Sequence, residues 1–285
     1  MKTITFNNTA GFLTLQDQGR IGYANIAVPT SGAFDQKSHQ LANRLIGNFP
    51  NACAIESLRG SFEFGTDSEL VISATGAPAS VQVDGREHEM FRSIFVPAGS
   101  VVSVSPGSLG MRTYLAIRGG IVGNQIMGSS SYDELSQIGT PPIKPGDKFS
   151  VENQVAGSIT GDYIPGSVIT GLNTVELETM PAPRWSGFSN SDILFTSEYQ
   201  VTSSVNRVGL RLSGPALVWN SESRLASEGV VTGAIQIPVD GMPLIFGPDH
   251  PTTGGYPVVA VVSRNSLDLL AQTAPGTVVR FKSAR

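Results

Sequence analysis

The sequence contains PAGSVVSVS at residues 97–105, where a turn signal leads into alternating valine and serine. Side chains of a β-strand point to opposite faces in turn, so this period of two predicts a strand with one buried face. The same order of turn and strand occurs in PGDKF at residues 145–149 and in PGTVV at residues 275–279. Because Pro–Gly pairs begin turns in many contexts, the repeat leaves open whether the two halves are related.

Short β-branched runs bounded by turn residues extend this pattern along the chain. Many short strands with Gly and Pro turns favour barrels or sandwiches, and helices do not alternate with them as a doubly wound sheet would need. We therefore expect an all-β fold with a few short helices. The predicted strands include residues 69–73, 101–105, 113–117, 175–180, 199–205, 234–239, 257–262 and 277–281.

Two segments have the spacing of helices. The first covers residues 36–46, with Asp35 as a plausible N-cap and Gly47 as the residue that ends it. The second covers residues 266–272 and is closed by the Pro–Gly pair at 275–276.

A stretch rich in Gly, Ser, Thr and Pro at residues 155–171 separates two similar all-β halves. We place the domains at residues 1–165 and 166–285.

The composition excludes several classes of function. The 285 residues carry 19 Lys and Arg against 23 Asp and Glu, and no basic run that could bind a nucleic acid. The single cysteine, Cys53, excludes an internal disulfide and a cysteine-based zinc site. The longest apolar run, residues 256–262, is too short to span a bilayer, and residues 1–12 lack an apolar signal core. We therefore expect no membrane partner and a cytoplasmic location.

The sequence lacks the common catalytic motifs. It contains no P-loop of the form GxxxxGK[ST] and no GxSxG nucleophile elbow. His39, His88 and His250 do not have metal-ligand spacing, so no metal site is predicted. Chemistry would have to come from carboxylates, arginine, tyrosine, hydroxyls and backbone amides.

Three clusters combine glycine with polar residues. The first joins residues 16–23 to residues 28–35, the second joins residues 206–212 to residues 227–238, and the third is DHPTTGGYP at residues 249–257. Glycines let backbone N–H groups approach a ligand, and Thr and Tyr hydroxyls donate hydrogen bonds, so these loops suit a carboxylate, phosphate or amide oxygen. A capped helix and a plain glycine-rich hairpin are the structural alternatives.

The clusters resemble the biotin-dependent carboxyltransferase-type family, which includes the C subunit of 5-oxoprolinase, KipA and allophanate hydrolase subunit 2. The resemblance spans roughly residues 10–283. Beside the second and third clusters, the motifs that carry it are TLQDQGR at 14–20, VPTSGAFD at 28–35, LANRLIGN at 41–48 and YLAIRGG at 114–120.

The resemblance implies two cyclophilin-like β-barrel subdomains with a site between them. It assigns no catalytic base. The residues that it implies for substrate binding are Asp17, Arg20, Ser31, Asp35, Arg207, Gln236, Asp249, Thr252, Thr253, Gly254, Gly255 and Tyr256.

The resemblance also implies three alternative functions. The first is a subunit of an ATP-dependent 5-oxoprolinase, an amidohydrolase that converts 5-oxo-L-proline to L-glutamate with a KipI-like B-type subunit and a subunit-A-like protein. The second is a regulatory protein that antagonises a KipI-like kinase inhibitor. The third is a biotin-dependent carboxyltransferase of allophanate or urea metabolism. ATP is then expected, either on this chain or shared with a partner subunit, whereas biotin is not expected on this chain because no carrier segment occurs in it.

The chain departs from the family pattern at three places. MGSSS at residues 127–131 and PIKPGD at residues 142–147 each lack the arginine usual in the family, and Pro251 replaces the usual glutamine. If those groups bind ligand, we expect altered affinity or specificity in this member.

Overall fold

A computed structural model describes residues 2–159, 173–220 and 225–284. The chain divides into two compact units. The first comprises the described residues of Met1–Arg20, Asp35–Tyr132 and Gln137–Gly171, and the second those of Ile21–Phe34, Asp133–Ser136 and Leu172–Arg285. The predicted boundary between residues 165 and 166 lies outside the described residues and stays a prediction. Two short segments, 21–34 and 133–136, group with the second unit although they lie early in the chain.

The first unit is built on a sheet of nine strands with one helix, α1 (Gln36–Leu45). The order is β5-β4-β7-β2-β8-β3-β6, and β1 pairs with β2 and β9. Its strands are β1 (Lys2–Gln16), β2 (Ala54–Thr66), β3 (Leu70–Gly76), β4 (Ala79–Val83), β5 (Arg86–His88), β6 (Ile94–Val96), β7 (Val101–Pro106), β8 (Arg112–Ile117) and β9 (Lys148–Val151).

The longest strand pair of the first unit is the antiparallel pair of β1 and β2, and glycine permits the close approach of the two strands. Register shifts occur between Phe6 and Asn8 and between Ala10 and Phe12. At the second shift, Gly11 has a φ of 87°, and a Cβ there would lie 2.7 Å from the Gly60 Cα. A larger residue at position 11 would therefore clash with the partner strand and strain the backbone.

The second unit contains a closed barrel of seven strands in the order β10-β17-β14-β15-β12-β11-β18. A separate two-stranded ribbon joins β13 to β16. The strands are β10 (Thr174–Pro181), β11 (Glu198–Val205), β12 (Gly209–Ser213), β13 (Glu228–Gly229), β14 (Ala234–Gln236), β15 (Leu244–Phe246), β16 (Thr253–Gly254), β17 (Val258–Val262) and β18 (Val278–Ser283). The helices are α2 (Ile193–Thr196) and α3 (Arg264–Ala271).

Each unit has its own apolar core. In the first unit, alternate side chains of the strands meet around Ile4, Phe6 and Phe64. In the second, the barrel interior packs around Leu177 and Ile245, and Leu270 and Ala271 of α3 join it. The all-β prediction with two barrel-like subdomains is confirmed. No helix among the described residues is long and apolar enough to cross a membrane.

Both predicted helices form, and the structure adds a short third. The first ends one residue before its predicted end, and the second begins two residues earlier than predicted. α2 has four residues and no side-chain cap, so local sequence carries little signal for it.

The N-cap of α1 provides a test of local stability. Asp35 accepts a hydrogen bond from the Ser38 N–H at 2.9 Å and another from the Ser38 hydroxyl at 2.6 Å. We expect Asp35→Ala to lower the free energy of unfolding by about 1 kcal/mol, because an orphan amide of the first turn loses its acceptor. Urea denaturation would measure this loss. Asp192→Ala is the matched control: Asp192 precedes α2 without a side-chain cap bond, so we expect a change below about 0.5 kcal/mol. Equal losses in the two variants would contradict the capping role.

Candidate functional site

A buried carboxylate organises the end of β1 in the first unit. Asp17 accepts hydrogen bonds from the hydroxyls of Ser129 and Ser131 at 2.6 and 2.7 Å, and from the Ser130 N–H at 2.7 Å. Arg20, also buried, donates to the Ser131 carbonyl. These bonds hold the segment around residues 129–131 against the strand. Ser130 lies in the MGSSS segment that lacks the arginine usual in the family, and it contacts Asp17 through its backbone N–H.

The cap of α1 belongs to a second buried network of the first unit. The Asp35 N–H donates to the Tyr114 hydroxyl at 2.8 Å, and that hydroxyl donates to Glu56 at 2.7 Å. Arg112 lies 3.5 Å from Glu56, and both side chains are buried. Burial, followed by the charges of Glu56 and Asp35, raises the pKa of the Tyr114 phenol well above its usual range, so the phenol stays neutral and donates.

The central feature of the second unit is a buried ion pair between Arg207 and Asp249. The guanidinium is bidentate: Nε lies 2.7 Å from Oδ2 and Nη2 lies 2.9 Å from Oδ1. Nη2 also donates to the Gly32 carbonyl at 2.6 Å, and the Ser31 hydroxyl donates to Asp249 at 2.6 Å. Residues 31–32 of the first cluster, Arg207 of the second and Asp249 of the third therefore meet within the second unit.

Two acidic residues beside this pair were not predicted. The Glu134 N–H donates to Asp249 at 2.9 Å, and the Glu134 carboxylate accepts the Arg207 N–H at 2.9 Å. Asp133 is buried, and burial together with the nearby charge of Asp249 raises the pKa of its carboxyl group. Burial lowers the pKa of His250. The adjacent acids at 133–134 were the available signal, but their meeting with Asp249 depends on tertiary structure.

The third cluster forms a loop that is pinned at several points. Glu228 and Gly229 of β13 pair with Gly254 and Thr253 of β16. Glu228 is itself held by Arg184, whose Nε and Nη2 lie 2.6–3.0 Å from its carboxylate oxygens. The loop is therefore held through its pairing with β13, and β13 is held by the ion pair of Glu228 with Arg184.

The ends of the same loop reach the barrel. The Gln236 side-chain amide donates to the Tyr256 carbonyl at 3.1 Å. A Cβ at Gly254 would lie 2.5 Å from the Gln236 Nε2, so a larger residue there would displace the end of the Gln236 side chain from this bond. Gln236 thus positions the glycine loop.

A cavity of about 780 Å³ opens beside this loop. Gly255, Tyr256 and Pro257 form part of its wall. The rest of the wall is mostly apolar and includes Leu217, Trp219, Leu225, Ile237, Val239 and Asp240.

The predicted site residues thus have different surroundings. Gly255 and Tyr256 line the cavity, and the Thr252 and Thr253 hydroxyls make no hydrogen bond within the described part of the chain. The position of Gly255 and Tyr256 at the cavity suits ligand binding, which stays a prediction for these residues and for the two threonines that precede them in the loop. The remaining polar side chains take part in internal hydrogen bonds, and their binding roles and the predicted site between the halves stay predictions; these residues are Asp17, Arg20, Ser31, Asp35, Arg207, Gln236 and Asp249.

The chain is similar to several known proteins. A family model described as "Carboxyltransferase domain, subdomain A and B" matches residues 26–283. The C subunit of the Escherichia coli 5-oxoprolinase is 31% identical over 95% of this chain and 87% of that protein. The urea amidolyase of Saccharomyces cerevisiae is 31% identical over 94% of this chain but only 16% of its own length.

A solved structure has the same fold as this chain. The crystal structure of the K. lactis urea amidolyase superposes with a TM-score of 0.93 at 27% identity, over 99% of this chain and 19% of that polypeptide. This chain therefore spans about a fifth of that polypeptide, yet nearly the whole of the bacterial relative. With a family model over residues 26–283 and a near-full-length relative above 30% identity, the chain belongs to the family of the carboxyltransferase domain, subdomains A and B.

Proposed function

We propose that this chain is one subunit of an ATP-dependent amidohydrolase of the 5-oxoprolinase type, which converts 5-oxo-L-proline to L-glutamate together with partner subunits. The observation that carries the proposal is the length of the match. The similarity covers 87% of the C subunit of the E. coli 5-oxoprolinase, whereas it covers 16% of the yeast urea amidolyase. The similarity thus extends over most of the length of one subunit of the first enzyme.

The reaction requires the opening of a lactam. Water adds to the ring carbonyl carbon and the C–N bond breaks, which leaves a carboxylate and an amine. Negative charge gathers on the carbonyl oxygen during this step, and fixed hydrogen-bond donors stabilise it. The Thr252 and Thr253 hydroxyls and the amides of the glycine loop are donors of this kind, and the ribbon of β13 and β16 holds them in place. They support the proposal as polarising groups.

The described wall of the cavity does not fit ATP. A triphosphate needs cationic side chains or a cradle of N–H groups. The charged residue among the described lining residues is Asp240, a carboxylate. The sequence also lacks a P-loop. We therefore place ATP on a partner, either the KipI-like B-type subunit or the subunit-A-like protein, and we expect the assembly in the cytoplasm.

Carboxyl transfer is a second candidate. The TM-score of 0.93 with the K. lactis urea amidolyase shows that the same fold occurs in that enzyme. In this case the biotin carrier would lie outside the 285 residues of this sequence.

The first prediction concerns activity on reconstitution. We expect the purified chain, mixed with the KipI-like and subunit-A-like partners, ATP and 5-oxo-L-proline, to produce L-glutamate in a coupled assay. Omission of this chain should abolish the product. A folded complex without glutamate would overturn the proposal: carboxylation of urea on addition of a biotin carrier would then favour carboxyl transfer, and a complex without turnover would favour the regulatory protein.

The second prediction concerns the exposed hydroxyl of Thr253. We expect Thr253→Val to lower kcat/KM of the reconstituted enzyme by about tenfold or more, because one donor to the carbonyl oxygen is lost. Since the side chain is exposed, the melting temperature should stay within about 1 °C. Thr174→Val, at an exposed position of β10, is the matched control and should leave kcat/KM unchanged. Equal kcat/KM for the two variants would remove Thr253 from the site.

A further inference from the structure

The two outer strands of the sheet in the first unit, β5 and β6, differ in charge. Each pairs with one neighbour among the described strands, β5 with β4 and β6 with β3. The other end strand, β9, is covered, because the Val122 N–H donates to the Ser150 carbonyl at 2.8 Å. β5 (Arg86–His88) carries an arginine and a glutamate, and charged side chains on an outer strand oppose pairing with another chain. β6 (Ile94–Val96) carries no charged residue, so it lacks this protection.

The direction of the Phe95 backbone groups follows from the pairing of β3. Phe95 lies opposite Val71 in the antiparallel pair of β6 and β3. The Val71 carbonyl accepts the Arg118 N–H at 2.8 Å, so the N–H and C=O of Val71 point away from β6. Opposite residues of an antiparallel pair either exchange both hydrogen bonds or exchange none. The N–H and C=O of Phe95 therefore point away from β3, to the outer side of the sheet.

These two groups lie at an exposed position. They make no hydrogen bond within the described part of the chain. The Phe95 side chain is 57% exposed, whereas Ile94 and Val96 on either side are buried. An outer strand that combines unpaired N–H and C=O groups with an apolar side chain is a template for pairing with another strand. Because the next residue, Pro97, has no N–H, the edge that can pair is centred on Phe95.

The sequence around Phe95 fits a second copy of the same edge. In an antiparallel pair with a two-fold axis at Phe95, this residue lies opposite its own counterpart, and the two exchange both N–H···O=C bonds. The two phenyl rings then lie on one face as a cross-strand aromatic pair. Ser93 lies opposite Pro97, and no charged residue occurs from Ser93 to Gly99. No like charges therefore oppose each other along the shared edge.

We propose that β6 pairs with β6 of a second copy of this chain, in an antiparallel two-fold dimer centred on Phe95. Stable interfaces bury about 1,200–2,000 Å² in total, and a three-residue edge supplies less. The dimer is therefore weak, with a dissociation constant on the order of 0.1–1 mM. The contact uses neither the loop at 249–257 nor a partner subunit, so its test and the reconstitution assay succeed or fail independently.

Sedimentation equilibrium of the full chain, from about 10 µM to 1 mM, tests the dimer. We expect the dimer fraction to rise over this range. Phe95→Lys should raise the dissociation constant about tenfold or more, because the aromatic pair is lost and two like charges then lie opposite each other. Met180→Lys is the matched control: Met180 is 52% exposed on β10, which pairs with β17 on one side and β18 on the other, so this variant should dimerise normally.

Amide hydrogen exchange locates the contact. Exchange of the Phe95 N–H should slow as the concentration rises, whereas the Ile94 and Val96 N–H groups, which point to β3, should be protected at every concentration. The proposal is overturned by a monomer at 1 mM, by species larger than a dimer, by a dimer that persists in Phe95→Lys, or by one that is lost equally in Met180→Lys. Slower exchange of the Phe95 N–H only after addition of the KipI-like subunit would assign the edge to that subunit and equally overturn the proposal.

Discussion

The buried pair of Arg207 and Asp249 is the interaction on which the second unit depends. Both side chains are almost entirely removed from solvent, and loss of one partner of such a pair costs about 3–5 kcal/mol because the other charge remains buried. Asp249 also accepts from the Ser31 hydroxyl and the Glu134 N–H, so one carboxylate fixes segments far apart in sequence. These bonds consequently hold the first residue of the loop at 249–257 in place.

The anchoring of Asp249 affects the cavity because the last residues of the same loop, 255–257, line it. Residues 249–250 are anchored by the ion pair, residues 253–254 by the ribbon with β13, and Tyr256 by Gln236. These anchors do not use the Thr252 and Thr253 hydroxyls, which make no hydrogen bond among the described residues. Fixed donors stabilise developing charge better than mobile ones, because no free energy is spent on orienting them during the reaction. Within the loop, the charged residue Asp249 thus anchors the backbone, whereas the uncharged residues Gly255 and Tyr256 line the cavity.

Much of the fold follows from short-range patterns. The strand at 101–105 and the cap of α1 by Asp35 were predictable because alternation and capping are local rules. The ribbon of β13 and β16 was not, since two-residue strands have no periodicity and their pairing joins residues about 25 apart. The grouping of residues 133–136 with the second unit could not be predicted from the sequence either, because it depends on the contacts of Glu134 with Asp249 and Arg207.

The residues of the candidate site were likewise only partly predictable from the sequence. Sequence clusters identified the loop at 249–257 and the charged residues around it, but not which of them would face a cavity. Arginine and aspartate are typical of binding sites, and the same residues form buried pairs, so residue type alone does not distinguish the two uses. Trp219, Leu225 and Val239 were not predicted as site residues, because apolar residues usually pack in a core. Only the tertiary structure shows that these three border a cavity. The predicted charged residues Asp17, Arg20, Arg207 and Asp249 are engaged in internal hydrogen bonds and ion pairs within the described part of the chain, so the side-chain donors that the loop at 252–256 presents are uncharged.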